Sequence, residues 1–451
     1  MMAPGVIIAA PASGCGKTTL TLALLRALRW QGKRLASFKV GPDYIDPAFH
    51  ARASGRTCLN LDAWAMRLET LAALSDRTAE GADLVLGEGV MGLFDGADHG
   101  GGSSADLASL LDLPVVLVVD ARGMGASAAA LVEGFIRHRD DVDVAGVLFN
   151  RMASTRHAEV LRRACDDHFS QPVLGCLPDE PRLRLPSRHL GLVQAGETAE
   201  LDSFLEGAAE LVRDAVDLDQ LVRLARPFGL GLFGPPAQPL KPPGQRIAVA
   251  SDIAFAFAYP ATLDGWRAAG AEVLPYSPLA DEPPDPAADA IFLPGGYPEL
   301  HAGRLSANRV FLDGLRARAG DGAFVYGECG GFMVLGERLV DADGSAHAMA
   351  GLLSLGTSFE TPRLHLGYRR LRLLAQSGLG AGGITFRGHE FHYAAEIEAT
   401  GEPLFEVADA RGRHLGHAGL RRGNVAGSFI HLIDRSTEPD GLFGPLERAL
   451  Q

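Results

Sequence analysis

Val6-Ile7-Ile8-Ala9-Ala10-Pro11-Ala12-Ser13-Gly14-Cys15-Gly16-Lys17-Thr18-Thr19 decides the fold of the first half of the chain. A short apolar run, a glycine-rich turn ending in Lys-Thr and a segment of helical spacing over 18–30 read as strand, phosphate-binding turn and helix. In that context the backbone N–H groups of the turn and of the helix N-terminus bind phosphate oxygens. Gly14, Gly16, Lys17, Thr18 and Thr19 are therefore the candidate nucleotide (ATP) residues. Lys17 would reach the terminal phosphates and Thr18 would help to hold Mg2+. The strict pattern has a glycine where this chain has Pro11, so the loop is a variant. A glycine-rich turn with a surface lysine is the alternative, and the flanking strand and helix argue against it.

Working outward, further apolar runs occur at 34–40, 82–86, 113–119 and 144–150, several followed by helical patterns such as 127–139. Continuous apolar runs separated by helices predict a buried parallel sheet. A proline-rich stretch follows, with Pro235, Pro236, Pro239, Pro242 and Pro243, a density in which helices and central strands do not persist. The predicted organisation is thus a domain over 1–226, a connector over 227–245 and a second α/β domain over 246–451. Each domain is expected to hold a mostly parallel sheet flanked by helices. In the second, strands are expected at 247–250, 272–276, 290–293 and 323–326, a helix at 259–269, and antiparallel strands toward the end, at 383–386, 391–397 and 404–407.

Composition sets outer bounds. The chain has 451 residues, 47% hydrophobic and 22% charged, normal for two or three soluble domains. A net charge of −13 argues against a nucleic-acid binder. The five cysteines, Cys15, Cys58, Cys165, Cys176 and Cys329, lie far apart and are odd in number, which predicts a reducing compartment without a disulfide framework. The first apolar run lacks the flanks of a signal peptide, and no run reaches membrane-spanning length, so a cytoplasmic location is expected.

Two acidic segments follow predicted strands: Lys39-Val40-Gly41-Pro42-Asp43-Tyr44-Ile45-Asp46 and Gly87-Glu88-Gly89-Val90-Met91-Gly92-Leu93-Phe94-Asp95. That is the carboxyl edge of a parallel sheet, where ligands bind. Glu88 is a candidate Mg2+ ligand; Asp43, Asp46 and Asp95 are candidates to bind metal or orient a substrate carboxylate. The plainer reading of any one of them is a turn or helix cap.

In the second half, Tyr326-Gly327-Glu328-Cys329-Gly330-Gly331 has the spacing of a nucleophile elbow with cysteine in place of serine. A helix N-terminus beneath the thiol is expected to lower its pKa. Gly295 and Gly296, after another strand, can offer N–H groups to an oxyanion. The base is expected to be His431, late in the chain after a short apolar run, with His389 and His392 competing.

Together these motifs resemble a class I glutaminase domain joined to a dethiobiotin-synthetase-like domain, the architecture of the corrinoid amidases. The P-loop, 38–47, 87–96 and Arg387-Gly388-His389-Glu390-Phe391-His392-Tyr393 resemble the cobyrinic and hydrogenobyrinic acid a,c-diamide synthases over nearly the whole chain. The resemblance implies that Cys329 releases ammonia from glutamine and that ATP phosphorylates acetate side chains of a corrinoid acid. Ammonia would then travel a protected path and displace phosphate. It also implies that Asp46, Glu88 and Asp95 serve phosphorylation while Asp43, Tyr44 and Ile45 lie near the substrate; a homodimer is among the assemblies it allows. The chain departs from class I glutaminases at Ile433, where they place a glutamate two residues after the histidine. The third member of the site is therefore absent or supplied from elsewhere. Cobyric acid synthase and a nickel-tetrapyrrole amidase are the neighbouring enzyme readings. A P-loop partitioning or carrier ATPase would leave Cys329, Gly295, Gly296 and His431 without a role.

Overall fold

The computed structural model describes residues 3–97, 101–183, 201–230 and 238–436. The chain divides into two compact units, Met1–Trp64 with Leu68–Ala237 and Ala65–Arg67 with Gln238–Gln451.

The first unit is built on strands β1 (Pro4–Ala9), β2 (Leu35–Val40), β3 (Leu59–Leu61), β4 (Leu84–Glu88), β5 (Val115–Asp120), β6 (Val144–Met152), β7 (Val173–Pro178) and β8 (Arg226–Pro227). The order is β3-β2-β4-β1-β5-β6-β7, all parallel, with β8 antiparallel on the start of β1. Sequences such as Val115-Val116-Leu117-Val118-Val119 are buried throughout because helices cover both faces of a parallel sheet. The helix Lys17–Trp30 illustrates the covering layer: Leu20, Leu22, Leu24, Leu25 and Leu28 are all buried. Each such leucine contributes roughly 1.5–3 kcal/mol relative to remaining in water. This helix follows β1 directly, so the turn between them lies at the carboxyl edge of the sheet, beside the ends of β4 and β5. The segment expected as connector from 227 begins inside this unit: Phe228 is fully buried and stacks on Phe38, ring centroids 5.3 Å apart.

The second unit contains β9 (Arg246–Ala250), β10 (Glu272–Tyr276), β11 (Ala290–Leu293), β12 (Phe324–Glu328), β13 (Arg338–Val340), β14 (Ala346–Ala348), β15 (Ser354–Ser358), β16 (His365–Leu373), β17 (Thr385–His392), β18 (Ala395–Thr400), β19 (Glu402–Asp409), β20 (His414–Arg422), β21 (Val425–Ser428) and β22 (Ile430–Arg435). Its main sheet is mixed rather than mostly parallel: β10-β9-β11-β12-β21 is parallel and continues through β20-β19-β16-β17-β22 in antiparallel fashion. The parallel part carries the helices Pro260–Ala268, Arg309–Gly320 and Gly330–Leu335. The antiparallel part returns β22, and with it His431, to the neighbourhood of β12. The expected strand at 391–397 is in fact the end of β17 and the start of β18, which belong to different sheets. Among the described residues no helix is long and apolar enough to cross a membrane.

Candidate active site

In the first unit, Gly14 and Gly16 take φ of 82° and 91°, the left-handed conformation that lets the turn curl over the helix N-terminus. Asn150 at the end of β6 donates from Nδ2 to the Cys15 carbonyl at 2.9 Å, and Arg151 Nη1 donates to the Gly14 carbonyl at 2.7 Å. Both brace the turn from near the end of β6. Lys17 is buried, and desolvation lowers its pKa.

Beside this turn the acidic residues converge on one cation. Lys39 in β2 lies 2.6 Å from Asp46 Oδ2 and 2.7 Å from Glu88 Oε1, with Asp43 Oδ2 at 3.9 Å. Thr18 Oγ1 donates to Glu88 Oε1 at 2.5 Å. His50 Nε2 lies 2.6 Å from Glu88 Oε2, so both oxygens of that fully buried carboxylate are held. Burial alone would lower Lys39 and raise Glu88. At Lys39 the charges of Asp46, Glu88 and Asp43 together outweigh it and hold the ammonium protonated; at Glu88, Lys39, His50 and Lys17 together outweigh it, and the carboxylate pKa falls well below the usual range. Asp46 differs: burial and then the Asp43 charge push it up to about 7. Lys17 and His50 also act on Glu88, so cations and carboxylates offset one another here, and the Thr18 hydroxyl and the Asp46 and Glu88 oxygens are of the type that could take a hard divalent cation.

Asp43 and Asp95 also serve their own turns. Asp43 Oδ1 accepts from the N–H groups of Ile45 and Asp46 at 2.8 and 3.0 Å, opening the helix Asp46–Ser54. Asp95 Oδ2 accepts from Gly92 N–H at 2.9 Å. That turn is tied to the P-loop strand by Leu93 N–H donating to the Ala10 carbonyl at 2.8 Å. Tyr44 and Ile45 are buried on the loop between Asp43 and Asp46.

In the second unit, β12 ends at Glu328, the helix Gly330–Leu335 begins at once, and Cys329 between them has φ 47° and ψ −108°. For a residue with a side chain that conformation costs on the order of 1–3 kcal/mol and is the mark of a nucleophile elbow. Gly295 faces the elbow. A Cβ there would lie 2.4 Å from His431 Cε1, 3.0 Å from His431 Nε2 and 3.1 Å from Cys329 Cβ, so the imidazole, the cysteine and this glycine enclose one small volume. The Gly295 carbonyl accepts from Phe257 N–H at 2.9 Å, which fixes the peptide whose other end is the Gly296 N–H. The backbone N–H groups of Gly330 and Gly296 both reach the thiol.

The expected lowering of the thiol pKa is not what the structure gives. Cys329 is buried, and that burial, joined by the Glu299 charge, pushes the thiol up to about 12; the Gly330 and Gly296 N–H groups oppose the shift without reversing it. His431 is fully buried, and burial followed by the His389 and His392 charges lowers it to about 3. Thiol and imidazole are both neutral near pH 7.

His392 is committed elsewhere: Nδ1 lies 3.0 Å from the Ala394 carbonyl, Nε2 3.0 Å from Glu390, and the ring stacks on Phe429 at 3.8 Å. His389 pairs across the sheet with His431. Sequence reasoning missed Glu328. Its Oε2 lies 3.6 Å from His431 Nδ1, and its Oε1 accepts from Leu432 N–H at 3.1 Å. It also missed Lys39, His50, Asn150 and Arg151. A lysine inside the otherwise apolar run Leu35-Ala36-Ser37-Phe38-Lys39-Val40 was the available signal for the first of these.

A parallel-sheet unit with an acid-lined phosphate turn, joined to a unit carrying a cysteine elbow with a histidine and a glycine pair, defines a glutamine amidotransferase fused to a nucleotide-binding domain. Residues 246–439 match the CobB/CobQ-like glutamine amidotransferase domain, and residues 6–193 match the CobQ/CobB/MinD/ParA nucleotide binding domain. The chain is 56% identical over 433 residues to hydrogenobyrinate a,c-diamide synthase of Brucella anthropi, covering 95% of this chain and 98% of the relative. It is 54% identical to the protein of that name from Rhizobium meliloti, covering 96% and 99%, and 55% identical to the one from Rhodobacter capsulatus, covering 95% and 98%. The chain belongs to the hydrogenobyrinate a,c-diamide synthase family.

Proposed function

We propose that this chain uses ATP and glutamine to convert two carboxylates of hydrogenobyrinate, the a and c acetate groups, into carboxamides. The observation that carries the reading is the presence in one chain of a carboxylate-lined phosphate turn and a thiol–imidazole–glycine pocket, the consuming and the producing halves of an amide synthesis.

In the glutaminase half, Cys329 Sγ adds to the glutamine carboxamide carbon while His431 takes the thiol proton. The developing oxyanion lies toward the Gly295–Gly296 backbone. Collapse of the adduct breaks the C–N bond, the proton passes to the departing ammonia, and a thioester remains. Water then cleaves the thioester to glutamate and restores the thiol. In the synthase half, a substrate carboxylate attacks the γ-phosphate of ATP, giving an acyl phosphate and ADP. Ammonia adds to the acyl carbon and phosphate leaves. Gly14, Gly16, Lys17, Thr18 and Thr19 hold the nucleotide. Thr18, Asp46 and Glu88 would hold Mg2+, which would neutralise charge on the transferring phosphoryl group. Asp43, Tyr44, Ile45 and Asp95 line the approach of the substrate, with Lys39 supplying the cation that keeps Asp46 and Glu88 in place. The expected setting is the cytoplasm.

The test is glutamate release and amide formation by the whole protein. Cys329→Ala abolishes glutamine-supported synthesis and leaves ammonia-supported synthesis within about twofold of the unaltered chain. A variant that still makes amide from glutamine sinks the assignment of Cys329. Assays with cobalt-free and cobalt-bearing acids decide the substrate: hydrogenobyrinate is expected to be the better one.

A further inference from the structure

Glutaminases of this architecture need a group to orient the base, and position 433, where class I enzymes carry a glutamate, is a buried isoleucine here. Among the described residues another carboxylate lies beside His431. Glu328 immediately precedes the nucleophile, is buried, and points Oε2 at His431 Nδ1 from 3.6 Å while Oε1 holds the N–H of the next residue, Leu432, at 3.1 Å. A separation of 3.6 Å exceeds a hydrogen bond, but catalytic contacts are often long before substrate arrives and tighten with it. One carboxylate thus spans the strand that carries the thiol and the strand that carries the imidazole. On its other side Glu328 borders a cavity of about 20 Å3, room for one water-sized molecule, together with Tyr326, Tyr259 and Lys241.

Building on the glutaminase reading above, we propose that Glu328 is the positioning residue for His431, selecting the imidazole tautomer in place of the glutamate missing at 433. The chemistry is a proton count. An ionised Glu328 accepts the proton of Nδ1, which leaves the Nε2 lone pair to take the Cys329 proton. A protonated Glu328 donates to Nδ1, which places the hydrogen on Nε2 and removes the base. Burial pushes Glu328 up to about 8, with the Leu432 N–H working the other way, so the exchange falls within the working pH range. The competent form is the ionised one, and glutaminase activity therefore rises as pH rises through that value. The other titratable groups facing the pair are Cys329 and Tyr326 on and beside β12, His389 and His392 on β17, Glu299 on the short helix Pro298–His301, Tyr259 before the helix Pro260–Ala268, and Lys241 across the cavity. Burial places Cys329 and Tyr326 above this window and His431 below it.

The experiment measures glutamine hydrolysis between pH 6 and 10 for the unaltered protein, Glu328→Gln, Glu328→Asp and Cys329→Ala, with ammonia-supported synthesis as the control for an intact fold. In Glu328→Gln the amide turns its NH2 to Nδ1 and traps the unproductive tautomer at every pH. We expect kcat lower by about 10²–10⁴, as for a carboxylate-to-amide change in a triad, with the glutamine KM within about twofold and the rising limb gone. Glu328→Asp restores part of the rate and the limb. Should Glu328→Gln keep the unaltered pH profile, whether its rate is normal or merely scaled down, Glu328 is only a structural residue and the proposal fails. If Cys329→Ala still hydrolyses glutamine, the underlying glutaminase reading fails instead. If Glu328→Gln does not fold, 15N NMR of His431 in the unaltered protein decides: a tautomer that shifts from Nε2–H to Nδ1–H as pH rises supports the assignment, and one that stays constant overturns it.

Discussion

Cys329 combines a φ of 47° with a thiol raised to about 12, so the structure holds a geometrically presented but chemically quiet nucleophile. Alkylation by iodoacetamide follows the thiolate, and an ordinary thiol has a pKa of about 8.5. At pH 8 we expect Cys329 to react about a thousandfold more slowly than a small free thiol, with the rate still climbing at pH 10; mass spectrometry of the peptide carrying Cys329 measures it. A fast, pH-independent reaction at neutral pH would show that the thiol is not held down by burial. The elbow could be read directly from Gly327, Cys329 and Gly331, because its geometry is local. The depressed reactivity could not, since it comes chiefly from burial and then from the Glu299 charge, neither of which the motif contains. Lys39 is a parallel case: its partner Glu88 lies 49 positions away, and no local pattern announces that they meet.

Among the elements, the short helix Gly330–Leu335 positions the second site because it packs against the end of β11 with no side chain between. A Cβ on Gly331 would lie 1.9 Å from the Leu293 carbonyl oxygen and 2.6 Å from its carbon, both backbone atoms that cannot rotate away. Gly331→Ala is expected to destabilise the second unit by on the order of 3 kcal/mol or more and to abolish glutaminase activity, while ATP binding by the first unit persists. Thermal unfolding followed with a nucleotide-binding assay checks this; an alanine variant with unchanged unfolding and glutaminase rate would contradict the packing. The main parallel strands of both sheets were legible because burial on both faces writes continuous apolar runs. The short strands Leu59–Leu61 and Val173–Pro178 were not, being too brief or too mixed to show a period. Nor was the return of β22 beside β17, which is fixed by long-range pairing such as His389 with His431.

For the whole molecule, two compact units with separate sheets imply separable stabilities. Calorimetry is expected to show two transitions. ATP with Mg2+ should raise one of them by mass action, by roughly 2.7 kcal/mol at a hundredfold excess over Kd, and leave the other in place. A single transition that shifts as one would mean that the units do not unfold separately. The proline-rich stretch, of which 231–237 lies outside the described residues, is where the sequence reading expects the division. Where the first unit stops was not legible, because Phe228 owes its place to Phe38, far back in the chain. One further consequence follows from the cysteines. All five are free and shielded from solvent. A small electrophile shaped like glutamine therefore meets an almost silent background and should label one sulfur per molecule once its own binding opens that pocket. Competent protein in any preparation can then be counted stoichiometrically, without measuring a rate.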